Sequence, residues 1–295
     1  MSAPLHNQNH DHITARHFHQ WTGSSYPLPA DAREKERLQL QHDAVKHMYE
    51  DRIILAPVEF NEEAKVLDIG TGSGTWAVEL ATNTPYIEIT AIDIEAGCLP
   101  PVLPENVKFQ LGTVLELPKK WDNRFSLVHQ RCLLLGLERE KWLVALKEIY
   151  RVLQPGGWVQ LGEPKLWPRD YKDYDRPCTE KLATILRAVA DSKNFYADCA
   201  EDLGRMLQAV GFTNIKGEIR RQGIGAWAGE QGVAWRKNLA DVFNGIETSA
   251  MDEGGFGLVN SVEEYDLLLE GFEEECDKVR GGGWEFIIYY AQKPL

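Results

Sequence analysis

The sequence predicts an α/β fold: a doubly wound, mostly parallel seven-stranded sheet with helices on both faces, preceded by a helical segment and carrying helical cap insertions. Three observations carry this. Short apolar segments alternate with helix-length segments from Lys65 onward. Three glycines, Gly70, Gly72 and Gly74, join the first of these segments to a helical pattern. The chain closes on "WEFIIYYAQKP", rich in the aromatic and β-branched residues that favour strands.

Residues 1–29 read as a flexible, polar segment that holds His6, His10, His12, His17 and His19. Their spacing matches no zinc pattern, so a solvated tail is expected rather than a metal site. The first helix starts at Asp31, with Glu34 three residues on in a capping-box pattern. Its stripe of Leu38, Gln41, Val45, Met48 and Arg52, flanked by His42 and Tyr49, is partly polar. That pattern suits a helix over a wet pocket, and equally a half-exposed surface helix.

"KVLDIG", "EITAID", "VKFQLG", "FSLVHQR" and "GWVQLGEP" follow as strands. "GTWAVELATN" and "EKWLVALKEIYRVLQPGG" read as helices, the second stopped by Pro-Gly-Gly. Beyond Pro164, "PCTEKLATILRAVADS", "AEDLGRMLQAVGF", "EQGVAWRKNLADVFNGIETSAM" and "SVEEYDLLLEGFEEECDKV" read as helices, and "TNIKGEIRRQGIG" as an edge strand.

Composition excludes some functions. The chain has 32 basic and 45 acidic side chains, a net charge of −13, which repels phosphate backbones and disfavours a nucleic-acid partner. Five scattered cysteines without a CxxC point to reduced thiols, with a cytoplasmic or nuclear location. No apolar run approaches a membrane span.

A strand, a glycine-rich turn and a helix let a ligand approach the backbone closely. A dinucleotide fingerprint needs a third glycine where this chain has Thr75. Asp68, two residues ahead of Gly70, sits badly beside a pyrophosphate and well beside an ammonium group. Asp93 closes the second strand, where a carboxylate can accept from both ribose hydroxyls. Asp93 alone also fits NAD; together with "DIGTGSG" it favours S-adenosylmethionine over NAD and over a purely structural turn.

"VLDIGTGSGTW", "IDI", "GTVLELP" and "LQPGGW" together resemble class I S-adenosylmethionine-dependent methyltransferases, a Rossmann-like fold. "YPLPADAREKERLQLQH" is similar to the segment ahead of the core in LaeA-like fungal methyltransferases. The resemblance implies one domain over residues 30–295, with substrate-cap elements from 30–60 and 164–280. It also implies site residues. Asp68, Gly70, Gly72 and Gly74 would hold the methionine part of the cofactor, and Asp93 the ribose, with Ile94 beside the adenine. Gly112, Thr113 and Val114 would flank the adenine, and His129, Gln130 and Arg131 would face the sulfonium. Tyr26, Arg37 and His42 would cover the cofactor.

A hydroxyl acceptor needs its proton removed, which makes His129 the first candidate base and Glu163, at the end of the fifth strand, the second. A structural role stands beside each. The aromatics Trp167, Tyr171, Tyr174, Phe195, Tyr196, Trp227 and Trp235 suit a flat small molecule, or an ordinary core. No metal is expected, since "HQRCLLLG" lacks the carboxylates of metal-dependent catechol methylation. The expected activity is methylation of a small-molecule acceptor, on oxygen, in fungal secondary metabolism. The alternatives are a LaeA-like regulator acting through a protein partner, and a cofactor-binding enzyme of another reaction.

Overall fold

The computed structural model describes residues 16–19, 21–168 and 171–295. Helix α1 (Ala32–Met48) begins at Asp31, whose carboxylate accepts from the Glu34 N–H at 3.0 Å. Only this half of the capping box forms. The Glu34 side chain turns to the buried Arg37 guanidinium, a charge that needs a counter-ion more than the helix end needs a second cap. Ala44, Val45, Met48 and Tyr49 are buried, so the helix covers the core. The Tyr49 hydroxyl lies 2.8 Å from the Phe286 carbonyl and 2.9 Å from that of Glu218, which fixes the helix end to the far side of the sheet.

The series continues as β1 (Lys65–Ile69), α2 (Thr75–Asn83), β2 (Glu88–Asp93), β3 (Val107–Leu111), β4 (Phe125–Arg131), α3 (Lys141–Val152), β5 (Leu153–Lys165), α4 (Pro177–Ser192), α5 (Cys199–Val210), β6 (Thr213–Gly223), α6 (Gly229–Asp252), α7 (Val262–Lys278) and β7 (Gly283–Gln292). The seven strands form one sheet in the order β3-β2-β1-β4-β5-β7-β6. The first five run parallel, and β7 enters antiparallel between β5 and β6. β6 is an edge strand, as expected from sequence. Sheet order reverses between β1 and β4, which opens the carboxyl edge there as a ligand crevice.

The β2–β3 connection, which holds Pro100, Pro101 and Pro104, carries no helix. One local expectation changes. Helix α3 ends at Val152, and Leu153 already pairs with Phe125 in the sheet. Gln154 precedes Pro155, which disfavours helical backbone at that point.

Residues 1–15 and 20 lie outside the described residues, and with them His6, His10 and His12. Of the segment expected to be flexible, Pro27, Leu28 and Pro29 are buried. Leu28 packs where Gly245 leaves room on α6; a Cβ at Gly245 would stand 2.7 Å from Leu28 Cδ2. Arg16 bonds Asp31 at 2.6 Å and Asn244 at 3.1 Å, and Ala30 N–H donates to the His17 carbonyl at 2.6 Å. Packed chain therefore begins before Ala30. Among the described residues no helix is long and apolar enough to cross a membrane.

Candidate functional site

The carboxyl ends of β1, β2 and β4 open onto a cavity of about 220 Å³, closed over by α1, α6, His19 and the stretch from Tyr26 to Ala30. Gly70 and Gly72 have φ of +64° and +56°, which side chains rarely adopt. A Cβ on Gly70 would meet Leu133 Cδ2 at 2.8 Å, so glycine is also a spatial requirement there. Gly72 N–H donates to Asp93 Oδ2 at 2.7 Å, and Glu95 N–H to Asp93 Oδ1 at 3.1 Å. Each oxygen keeps a lone pair for a further donor. Burial raises the Asp93 carboxyl to about 6, against the pull of these N–H groups. Asp93, Ile94, Gly112, Thr113 and Val114 all line this end of the cavity.

Asp68 and His129 are neighbours across β1 and β4, so their side chains share a face of the sheet. Asp68 accepts from Thr71 Oγ1 at 2.5 Å and lies 2.7 Å from His129 Nδ1. The tautomer that satisfies Asp68 carries its proton on Nδ1 and leaves the lone pair on Nε2. The imidazole lies flat on Trp76, with centroids 3.8 Å apart and planes 6° apart, and burial lowers its pKa. Trp76 is itself fixed by its Nε1–H to the Ile53 carbonyl at 3.0 Å. Both Asp68 and His129 line the cavity.

Tyr26, Glu34 and Arg37 form its upper wall. Arg37 grips Glu34 through Nε (2.8 Å) and Nη2 (2.6 Å), a buried pair of zero net charge. Arg37 Nη1 is buried without a protein partner, a donor left over for a ligand. Burial raises the Tyr26 phenol, which stays protonated.

Four candidate residues stand off the cavity wall. Gly74 is the N-cap of α2. Gln130 alternates to the opposite face of β4 from His129 and is fully buried there. His42 lies behind Arg131, with Nε2 2.6 Å from Glu79 Oε2 and Nδ1 3.2 Å from Arg131 Nη2. Burial, with the Arg131 charge, lowers His42 to about 4. Glu163, the second candidate base, is fully buried and accepts from the N–H groups of Leu133 (2.8 Å) and Leu134 (3.1 Å). Burial raises it to about 8. Its carboxyl holds the turn after β4, where Cys132 has a φ of +59°, and does not reach the cavity.

The other half of the cavity is apolar: Leu28, Leu166 and Leu186, Trp235, Leu239 and Val242 from α6, and Trp284 and Phe286 from β7. Of the seven aromatics singled out after Pro164, only Trp235 lines it; Tyr174 is 94% exposed and Phe195 sits in the core. Glu34, Thr71, Trp76 and Asn238 are site residues that the sequence reading missed. Thr71 stood inside the glycine motif, and Trp235, Asn238, Leu239 and Val242 fall at helical spacing. Glu34 and Trp76 carry no local signal. Among the described residues no cluster of three or more His, Cys, Asp or Glu side chains could hold a metal.

Residues 66–157 match the methyltransferase domain family. The N-methyltransferase sirN of Leptosphaeria maculans is 34% identical over 276 residues, 92% of this chain and 95% of that one. This chain belongs to the class I S-adenosylmethionine-dependent methyltransferases. Its likeness extends to the secondary metabolism regulator LAE1 of Cochliobolus heterostrophus, 25% identical over 310 residues, 100% of this chain and 98% of that one. The fold also matches phosphoethanolamine N-methyltransferase 2 of Haemonchus contortus, solved with S-adenosylhomocysteine: TM-score 0.50, 16% identity, 88% of this chain and 53% of that one.

The methyltransferase uses S-adenosylmethionine, and its cavity suits that cofactor on three counts. The glycine backbone leaves room where a Cβ would intrude. A carboxylate stands on either side of the loop, Asp68 bonded by Thr71 and Asp93 by Gly72. Arg37 Nη1 has no protein partner.

Proposed function

We propose that this methyltransferase methylates a nitrogen of a neutral, largely apolar small molecule. When bound, the cofactor supplies an electrophilic methyl group. In this reading Asp68 receives the ammonium of its amino-acid end, Asp93 its ribose diol, and Ile94, Thr113 and Val114 its adenine. Tyr26 and Arg37 cover it. His129 acts through Asp68, holding that carboxylate in place with its Nδ1–H.

One observation supports this reading most: the polar, acid-lined half of the cavity continues into an apolar half within the same enclosure. An acceptor seated there is stripped of water and held in line with the donor, the two main sources of acceleration for methyl transfer. Among the described residues, the carboxylates and imidazoles that line the cavity come from the glycine loop, β2, β4 and the N-terminal segment, and the lining residues from α4, α6 and β7 are apolar apart from Asn238. That favours an acceptor nitrogen with an available lone pair over the hydroxyl expected from sequence, in keeping with the name of sirN.

Incubation of the full chain with methyl-labelled S-adenosylmethionine and fungal metabolite extract tests this. The reading expects a labelled small molecule heavier by one methyl group, with an N-methyl signal by NMR. An O-methyl signal overturns the choice of atom. The full-length likeness to LAE1 supports a second reading, a regulator that methylates a protein. Label recovered only in protein would favour it.

A further inference from the structure

Among the described residues two arginines line the cavity, and they are not equivalent. Arg37 is bound at two points by Glu34, which cancels its charge. Arg131, at the end of β4, has no carboxylate within ion-pair distance among the described residues. Among the described residues its hydrogen-bond partner is His42 Nδ1, a neutral imidazole nitrogen at 3.2 Å. The tautomer is self-consistent: Nε2–H donates to Glu79 Oε2 at 2.6 Å, so Nδ1 keeps the lone pair that accepts from Arg131 Nη2–H. Glu79 is in turn held by Lys46 at 2.8 Å. His42 is 1% exposed and cannot swing away. The chain Lys46–Glu79–His42–Arg131 therefore fixes a guanidinium by one nitrogen without neutralising it. Its remaining N–H groups are left for a ligand.

Arg131 shares the cavity end occupied by Asp68 and His129. A carboxylate and an uncompensated guanidinium at one end of a buried cavity complement an α-amino acid zwitterion: ammonium to Asp68, carboxylate to Arg131. We propose that His42 and Glu79 are positioning residues that aim Arg131 at the α-carboxylate of the cofactor's amino-acid end, and that Arg37 does not fill this role. This deepens the cofactor assignment above and rests on it. His42 reaches the cofactor only through Arg131, which accounts for its place behind the cavity wall.

The test compares two ligands on the full chain by titration calorimetry. S-adenosylhomocysteine carries the amino-acid end; 5′-methylthioadenosine has the same nucleoside and no carboxylate. Arg131→Gln should weaken S-adenosylhomocysteine about 10–100-fold, the loss of a charge-assisted bond, and leave 5′-methylthioadenosine within about twofold. His42→Phe should produce a smaller loss of the same selective kind, about fivefold, and Glu79→Ala about threefold. His42→Gln, which can still accept from Arg131 and donate to Glu79, should restore most of it. The nucleoside ligand reports misfolding, since a damaged fold loses both. Equal weakening of both ligands in a variant whose denaturant melt matches that of the unaltered chain, or no change for either, overturns the proposal. If the unaltered chain binds neither ligand, the cofactor assignment itself fails.

Discussion

The backbone N–H of Gly72 donates to Asp93 Oδ2 across 2.7 Å, tying the glycine loop to the acid that ends β2. One carboxylate thus holds the loop and, in the proposed site, receives the ribose. Asp93→Ala removes both contacts, and Asp93→Asn keeps one acceptor oxygen. Affinity for S-adenosylhomocysteine should fall about 10–100-fold in Asp93→Ala and less in Asp93→Asn. Calorimetry checks the order, and an unchanged dissociation constant removes Asp93 from the site.

The same residue sets a pH dependence. Burial raises Asp93 to about 6, so below that pH the carboxyl is neutral and accepts hydroxyl protons poorly. Cofactor affinity should be steady above pH 7 and decline as pH falls through about 6. In Asp93→Asn that decline should disappear.

His129 lies on Trp76 and donates to Asp68. If it works by holding Asp68, His129→Phe should weaken cofactor binding about tenfold while kcat stays within about threefold. His129→Asn, which retains a donor, should recover part of the affinity. A fall in kcat of about 100-fold or more with unchanged affinity would instead identify His129 as the base.

Glu163 and His42 should give opposite pH slopes in stability. Glu163 is raised from an ordinary value of 4.5 to about 8, so its contribution is full below 4.5 and is lost as pH rises through 8. His42 is lowered from 6.5 to about 4, so its contribution is full above 6.5 and is lost as pH falls toward 4. Between pH 7 and pH 5 the His42 loss is about 2 kcal/mol. Denaturant melts of His42→Gln should lack the acid-side loss. Melts of Glu163→Gln should lack the alkaline one and be weaker by about 1–3 kcal/mol at pH 5, since an amide cannot accept from both Leu133 and Leu134. Turnover per folded Glu163→Gln molecule should be unchanged, because the side chain does not reach the cavity.

What was legible in the sequence is what is local. Asp68, Gly70, Gly72 and Asp93 sit in one strand–loop–helix–strand unit, and their spacing alone brings them together. The strands announced themselves as short segments between helical patterns, and β6 was placed at the edge. His42 read as a residue covering the cofactor, and the structure puts it behind the wall instead; its contacts are not local, since Arg131 lies 89 residues away and Glu79 on another helix. Glu163 read as a free carboxylate at the carboxyl edge. Only the turn that folds back over it reveals that two N–H groups already occupy it. Trp235 shares a helical stripe with Asn238, Leu239 and Val242, but only the packing of α6 against α1 shows that this stripe faces the cavity. Leu28 looked like part of a polar tail until Gly245, a helix glycine with no local purpose, proved to be its seat.

The most direct measurement is titration of the full chain with S-adenosylhomocysteine, followed by competition with S-adenosylmethionine and with NAD. The proposed site predicts saturable one-to-one binding, displaced by S-adenosylmethionine and untouched by NAD. Absence of binding, or displacement by NAD, would contradict it.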